Sequence, residues 1–228
     1  MAGAANTFEG GTNTTAISTG NSGGTSGNAF SLAENVTFST TRAAHGLLSA
    51  RMPAESGPTR ASLGYDLSGN GTRWMRGYFY SASWASDPTL MLLFTADFYS
   101  FEVQLTATQA RVNVYNGTST ATTATISAAP AVNQWIRVEL QANNTTGAAE
   151  LRLYNTADSS TATGTATGTR TIPASAWGGA TWTNIGAAET YADDVGWSDE
   201  GWLGPAVSAA SLRPIIGASV AVHRAASW

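Results

Sequence analysis

Apolar and polar residues alternate with a period of two along most of this chain, and that period constrains the fold more than any other feature. Ile136, Val138 and Leu140, for example, alternate with Arg137 and Glu139. Successive side chains of a β-strand point to opposite faces, so each such segment has one apolar face and one free face. Apolar residues at helical spacing are nearly absent, with brief helical turns at most in residues 32–35 and 41–45. The pattern predicts an all-β protein whose core is a sandwich of two antiparallel sheets.

The strands can be placed from this alternation and from the turn residues between them. A hairpin turn is expected at Asn143–Gly147, and residues 156–171, rich in Thr, Ala and Gly, favour an exposed edge strand with its loops. Further strands are predicted at residues 7–9, 28–32, 36–38, 46–52, 60–67, 74–80, 90–95, 101–105, 111–115, 135–140, 150–154 and 191–197.

The composition indicates a folded domain. Only 11% of the 228 residues are charged, while 43% are hydrophobic and eight are tryptophan, which excludes a disordered polymer. We expect one domain over residues 1–205, in which residues 7–27 form an opening strand and a long Gly/Thr/Ser loop.

The last segment, residues 206–228, has a different character. It begins with a linker of small residues and then carries apolar side chains, too few to form a core of their own. An exposed apolar tail is unfavourable in water, so we expect it to dock on its own sandwich or on a neighbouring subunit. The residues expected to make this contact are Leu212, Ile215, Ile216, Val220 and Trp228.

Several partners and chemistries are disfavoured. The net charge is −4 and no arginine cluster is visible that could follow a phosphate backbone, so nucleic acid is not expected as a partner. The absence of cysteine excludes disulfides and thiol chemistry. The first residues lack the pattern of a secretory signal peptide, and no apolar run reaches membrane-spanning length, so we expect no membrane insertion.

Several short segments carry a resemblance to a known superfamily. They are Phe8–Gly11, Asn28–Phe30, the strand beginning at Trp135, the hairpin leading to Leu151–Tyr154, and the closing Asp193–Val195 with Gly201–Pro205. Together these segments resemble the concanavalin A-like, laminin-G-like jelly rolls over about residues 7–205. More narrowly, the chain is similar to small actinobacteriophage proteins that serve as minor tail or other virion components.

The resemblance implies a fold and a setting. In the superfamily the first and last strands are neighbours, so Phe8–Glu9 should pair antiparallel with Ala192–Trp197 and Phe8 should lie beside Val195. The phage relatives imply a virion protein, assembled in the host cytoplasm, that contacts other virion proteins and forms a homo-oligomer. A free carbohydrate-binding module of an actinobacterium and a capsid decoration protein are the alternatives.

Catalysis and metal binding are not expected. Some proteins of this fold hydrolyse glycosides with two carboxylates facing one cleft, but Glu150 stands alone on its strand and adjacent Asp193 and Asp194 should point to opposite faces. His45 and His223 lie in no nucleophile motif and are interpreted as ordinary loop or tail residues. Asp193 and Asp194 are the best candidates for a calcium ion. We favour instead that one accepts backbone hydrogen bonds while the other is solvated, with no cofactor bound.

A stripe of aromatic and arginine residues is the strongest candidate for a binding site. Sugar rings stack on Trp or Tyr while Arg and Glu bond their hydroxyls. The same residues are also suited to pave a sheet with cross-strand pairs or to meet another subunit. Trp84, Trp177 and Trp182, placed in loops, are secondary candidates for ligand or partner contact, and capping of the core is the alternative interpretation. The stripe residues are Trp74, Arg76, Tyr78, Tyr80, Arg111, Tyr115, Arg152 and Tyr154.

The sequence thus predicts a non-catalytic jelly-roll subunit of a phage particle, most simply a minor tail protein. Its free face would contact host-surface glycans or other subunits.

Overall fold

The computed structural model describes residues 3–55 and 60–206, and over these residues it consists of strands and loops, so the all-β prediction is confirmed. No helix in these two ranges is long and apolar enough to cross a membrane. The strands are β1 (Gly3–Asn6), β2 (Leu32–Glu34), β3 (Thr37–Ser39), β4 (Ser49–Met52), β5 (Ala61–Asp66), β6 (Thr72–Ser81), β7 (Thr89–Thr95), β8 (Ser100–Leu105), β9 (Ala110–Tyr115), β10 (Thr120–Ile126), β11 (Trp135–Asn143), β12 (Ala148–Tyr154), β13 (Gly164–Thr169), β14 (Trp177–Ile185) and β15 (Thr190–Ser198).

These strands form two antiparallel sheets that pack as a jelly-roll sandwich, as predicted. Sheet A has the order β13-β12-β11-β6-β15-β4-β3, and β1 also pairs with β15. Sheet B has the order β10-β9-β8-β7-β14-β5-β2. The predicted hairpin at Asn143–Gly147 joins β11 to β12, and the predicted edge strand is β13 at the margin of sheet A.

The core lies between the inner faces of the two sheets. Phe79, Val138 and Leu151 of sheet A and Leu63 and Phe101 of sheet B are all 0% exposed. Each belongs to the apolar half of an alternating strand, so burial of that half leaves the other half on the outer face. The outer faces are therefore the places where a binding site can be built.

The first and last strands are neighbours, as the resemblance implied, but the opening strand begins earlier than predicted. β1 covers Gly3–Asn6 and places Asn6, rather than Phe8, opposite Val195. Phe8 has a φ of 63° and turns the chain away from the sheet. Its buried ring stacks on Phe30 with the centroids 5.8 Å apart, so its apolar character reflects core packing rather than strand pairing.

Other corrections concern strands with little bulk. β10 and β14 were not predicted, because Thr and Ala dominate the first and paired glycines interrupt the second. Residues 32–34 form a strand rather than a helical turn, and residues 28–31 precede it as a loop. The predicted docking tail, with Leu212, Ile215, Ile216, Val220 and Trp228, lies outside the described residues, so it stays a prediction.

Candidate functional site

The structure divides the eight predicted stripe residues between the two sheets. Arg111 and Tyr115 lie on β9 in sheet B, where they bond Gln104 and the carbonyl of Gly117. The outer faces of the two sheets point in opposite directions, so one ligand cannot touch all eight residues. The single stripe is therefore wrong, because alternation shows which residues share a strand face but not which sheet the strand joins. The six residues on the outer face of sheet A are Trp74, Arg76, Tyr78, Tyr80, Arg152 and Tyr154.

The middle of this outer face is covered by the protein's own loops. Arg137 and Glu139 of β11 point outward from the core, yet each is only 1% exposed. Arg137 donates hydrogen bonds to the carbonyls of Ala157 and Ser159, and its Nε lies 3.6 Å from Glu139. Tyr154 stacks beneath the Arg137 guanidinium and donates to Glu139 at 3.2 Å. These groups act as a buried polar layer that fixes the 155–161 loop.

Two predicted stripe residues are held by the C-terminal segment of the described chain. Arg76 donates to the carbonyls of Asp194 and Gly204, and Tyr78 accepts a hydrogen bond from the amide of Ala206 at 2.8 Å. Burial lowers the pKa of Arg76 and raises the pKa of Tyr78 to about 12. Residues 202–206 therefore cross this part of the face, and Arg76 and Tyr78 serve to anchor them.

The acidic pair does not behave as alternation predicts. A β-bulge between Asp193 and Gly196, with Asp194 at a φ of 44°, interrupts the pairing of β15 with β6. Both carboxylates consequently reach the same loop. Asp193 accepts hydrogen bonds from the amides of Ala44 and His45, whereas Asp194 bonds the His45 ring and is buried rather than solvated.

His45 is thereby a structural bridge and not an ordinary loop residue. Its Nδ1 meets Asp194, its Nε2 lies 3.2 Å from Asp158, and its ring packs edge-on against Tyr78. Burial lowers the pKa of His45, but the hydrogen bonds and charges of Asp194 and Asp158 outweigh it, so the net pKa is raised. Burial and the charge of Asp194 together raise the pKa of Asp193 well above its usual value.

The described residues, 3–55 and 60–206, contain no group of three His, Asp or Glu side chains arranged to hold a metal ion. Both oxygens of Asp193 accept hydrogen bonds from backbone amides, and Oδ2 of Asp194 bonds the His45 ring.

The three secondary tryptophan candidates are core residues. Trp84, Trp177 and Trp182 are 1%, 2% and 0% exposed. Each indole N–H donates to a backbone carbonyl, of Ala131, Gly71 and Arg76 respectively. Trp177 and Trp182 lie in β14 and not in loops, so none of the three is available to a ligand.

One end of the outer face carries a row of side chains at matching register, in which Tyr80 and Tyr191 are 8% and 7% exposed and Trp135 and Arg51 are more exposed. Trp135 of β11 lies opposite Tyr80 of β6, which lies opposite Tyr191 of β15. Tyr191 in turn faces Arg51 of β4, and Arg51 faces Thr37 of β3. We call these five residues the aromatic row. It crosses five adjacent strands, which at about 4.8 Å each span roughly 19 Å.

The rings of the row are held at fixed angles. The centroids of Tyr80 and Trp135 are 5.9 Å apart at 62°, and those of Tyr80 and Tyr191 are 6.3 Å apart at 83°. The exposed Arg42 places its guanidinium 4.0 Å from the centre of the Tyr80 ring. Such contacts limit rotamer freedom, so the row is organised before any ligand arrives.

A polar pocket of about 340 Å³ adjoins the row. On one side Glu189 accepts hydrogen bonds from Arg51 at 2.6 Å and from the hydroxyl of Tyr191 at 2.7 Å. The opposite side is lined by small hydroxyl and amide residues, namely Asn13, Thr14, Thr37, Ser39 and Thr41. The pocket therefore offers both donors and acceptors next to aromatic rings.

Sequence reasoning identified Tyr80 in this row but missed its partners. Arg42 lies in a loop, and Tyr191 and Arg51 belong to strands that are remote in the chain and meet only through the sheet order. Trp135 was recognised as part of a strand, and only its register opposite Tyr80 shows its role.

The comparisons with known proteins show the fold. No model of a known protein family matches the chain, and no curated protein does. Among solved structures, the cellulose-induced protein Cip1 is similar with a TM-score of 0.56 and 13% identity, over 77% of this chain and 89% of Cip1. The binding domain of botulinum neurotoxin DC in complex with SialylT has a TM-score of 0.51 and 11% identity, over 73% of this chain and 42% of the other.

An enzyme is among the similar structures as well. A GH43 glycoside hydrolase with an engineered active site has a TM-score of 0.50 and 11% identity, over 71% of this chain and 36% of its own. The comparisons thus show a jelly-roll architecture, which is shared by a binding domain and by part of a glycoside hydrolase.

Proposed function

We propose that this chain is a non-catalytic domain that binds glycans through the aromatic row and the adjoining polar pocket. The observation that carries the proposal is the register of Trp135, Tyr80 and Tyr191 beside Arg51 and Glu189. It places aromatic surfaces and charged hydrogen-bonding groups on one line.

The chemistry of the row matches that of a sugar chain. A pyranose ring has apolar C–H faces, which favour aromatic surfaces, and a rim of hydroxyls that need donors and acceptors. Trp135 is partly exposed at the end of the row and is the ring available for stacking, while Tyr80 and Tyr191 are buried and support it. Arg51 and Glu189 have side-chain exposures of 50% and 37%. The similar binding domain of botulinum neurotoxin DC is in complex with SialylT, which agrees with the proposed ligand class.

The carboxylates at the aromatic row support a binding role over hydrolysis. A glycosidase of the common kind needs two carboxyl groups on either side of the scissile bond. Among the residues of the aromatic row and the polar pocket, Glu189 is the one acid. One of its oxygens accepts a hydrogen bond from Arg51 and the other accepts one from the hydroxyl of Tyr191. Glu139, Asp193 and Asp194 are at most 4% exposed and bonded to protein groups.

The test is binding to an array of neutral and carboxylated oligosaccharides, followed by calorimetry with those that bind. Trp135→Ala should weaken binding by about tenfold, because an aromatic stacking partner is worth roughly 1 kcal/mol beyond its buried area. The matched control is Trp202→Ala. Trp202 stacks on Arg152 of β12, and Arg152 pairs with Glu139 of β11. Glu139 lies about 13 Å along β11 from Trp135, so Trp202 is an aromatic residue on the same sheet but away from the aromatic row.

The outcomes separate the alternatives. Loss of binding in Trp135→Ala with retention in Trp202→Ala supports the row as the site. Equal affinity in both variants and the original protein contradicts it, and so does release of reducing sugar ends from a bound oligosaccharide.

The setting that we propose is a phage virion, as a minor tail protein, and its support is the sequence resemblance. There the row would meet host-surface glycans while other virion proteins and further copies of the chain hold the domain in place. Antibody labelling of purified phage particles tests this: labelled tails support the proposal, labelled heads indicate capsid decoration, and protein found free in the medium indicates a carbohydrate-binding module.

A further inference from the structure

The outer face of sheet B carries a trough that the aromatic row does not use. Its floor is made by β5 and β14, whose outward residues are small: Ser62 and Gly64 on β5, Thr181 and Thr183 on β14. Gly64 keeps the floor flat, since a Cβ there would lie 3.1 Å from the carbonyl oxygen of Ala180. The pocket that forms over this floor measures about 230 Å³.

Two larger walls flank the floor. Leu32 and Glu34 of β2 stand on one side, and Leu92 and Phe94 of β7 stand on the other. The two wall strands are three strand spacings apart, or about 14 Å between backbones. Arg60 adds a positive charge to the rim that carries Glu34, so the rim offers one donor and one acceptor of opposite sign.

The aromatic wall is built in an unusual way. Phe98 is 73% exposed and has a φ of 63°, a conformation that bulky residues rarely adopt. Its ring is nearly parallel to that of Phe94, at 7° with the centroids 6.4 Å apart. The Phe94 ring in turn occupies the space where Gly179 lacks a side chain. Exposure and backbone strain both cost free energy, and strain of this kind concentrates at functional sites.

We infer that this trough is a second ligand site, which takes an uncharged sugar chain with its apolar faces against Phe94 and Phe98. The floor hydroxyl of Thr181 and the rim groups of Glu34 and Arg60 match the hydroxyls of such a chain. A neutral ligand fits because the charges of Glu34 and Arg60 cancel, whereas a charged ligand would be repelled by whichever of the two carries the same sign. With sites on opposite sheets, one molecule can bridge two sugar chains.

The test uses four uncharged probes, namely cello-, xylo-, manno- and laminarihexaose, titrated into isotopically labelled protein and followed by amide NMR. At least one probe should shift the signals of β5, β14 and residues 95–98. Phe98→Asn should weaken that binding about tenfold, because asparagine tolerates a positive φ while the stacking surface is lost. Thr181→Val, which preserves shape but removes the hydroxyl, should weaken it as well.

The controls keep this inference separate from the proposed function. Trp135→Ala should leave the trough signals and their affinity unchanged, and thermal unfolding should show that Phe98→Asn remains folded. Any of three results overturns the trough as a ligand site but leaves the proposed site at the aromatic row untouched. They are shifts confined to the aromatic row, no shift with any probe at millimolar concentration, and unchanged affinity in Phe98→Asn. Dimerisation that Phe98→Asn abolishes, without sugar binding, also overturns it and makes Phe98 a subunit contact.

Discussion

The guanidinium of Arg137 lies over the ring of Tyr154, with its Cζ 3.7 Å from the ring centroid, on the outward side of sheet A. Arg137 is 1% exposed and Tyr154 is 5% exposed, so this face of the sheet carries charge without contacting water. Burying a guanidinium is costly unless it is paired and hydrogen-bonded. The carbonyls of Ala157 and Ser159 and the carboxylate of Glu139 supply that compensation. The loop and the sheet face therefore stabilise each other.

Arg137→Met should destabilise the protein by about 3–5 kcal/mol, because it leaves Glu139 buried without its cationic partner. Urea unfolding measures the change. The control is Arg152→Met, which removes a partner of Glu150 from a pair that is 29% and 22% exposed, and it should cost only about 1 kcal/mol or less. Adding Glu139→Leu to Arg137→Met should recover much of the loss. A cost in Arg137→Met no larger than in Arg152→Met would show that the buried layer does not hold the loop.

Stability should fall as the pH rises, because His45 and Asp193 both bind protons more tightly when folded. The pKa of His45 is raised above its ordinary 6.5, so its contribution is complete below that value and is lost as the pH climbs through the folded pKa. The pKa of Asp193 is raised from 3.8, which gives the same sign. The melting temperature should decrease as the pH rises above about 6.5, and the decline due to His45 should level off once the pH passes its folded pKa.

His45→Gln provides the control for this pH dependence. It removes the titrating ring, so the decline above about pH 6.5 should become shallower. Asp193→Asn should lower stability, because both oxygens of Asp193 accept hydrogen bonds from backbone amides and the asparagine side chain can accept with only one of its two polar atoms. A profile of His45→Gln that is parallel to that of the original protein would show that the bridge to Asp194 and Asp158 contributes no linked proton.

Gly168→Ala should destabilise the margin where the two sheets approach. A Cβ on Gly168 of β13 would overlap the carbonyl oxygen of Thr123 on β10, so the backbones must move apart. We expect a loss of about 1–3 kcal/mol, as for other overpacked sites. Gly201→Ala is the matched control, since nothing lies within 4 Å of its Cβ position. Equal melting temperatures for the two variants would show that β13 and β10 do not pack as closely as described.

Much of the fold follows from the alternation of side chains, because a buried face must be apolar in every strand. β6, β8, β9, β11 and β12 all obey this rule and were predicted. β14 was not predicted, since Gly178 and Gly179 interrupt the alternation at positions where neighbouring groups occupy the space of a side chain. Its tryptophans were consequently placed in loops, although they lie at the centre of the core.

The candidate site was less accessible to sequence reasoning, for two physical reasons. Alternation cannot assign a strand to a sheet, so Arg111 and Tyr115 were grouped with residues that lie on the opposite side of the molecule. Nor can it show that loops cover a face, which is how Arg76 and Tyr78 come to be buried. The β-bulge at Asp194 reverses the inferred direction of one carboxylate and brings His45 into the network.

Arg42 should make the aromatic row prefer glycans that carry a carboxylate. Arg42 and Arg51 lie beside a single acid, Glu189. Burial raises the pKa of Glu189, but the hydrogen bonds from Arg51 and Tyr191 and the nearby positive charges together lower it by more, so the net pKa lies below its usual value. The cluster thus has one excess positive charge, with Arg42 exposed over Tyr80. Arg42→Gln should weaken binding of a uronic-acid oligosaccharide by about fivefold and make its affinity less dependent on salt. Calorimetry at low and high ionic strength, with a neutral oligosaccharide of equal length beside it, measures both effects. An equal loss for the neutral sugar would mean that Arg42 acts by holding the Tyr80 ring in place and not by its charge.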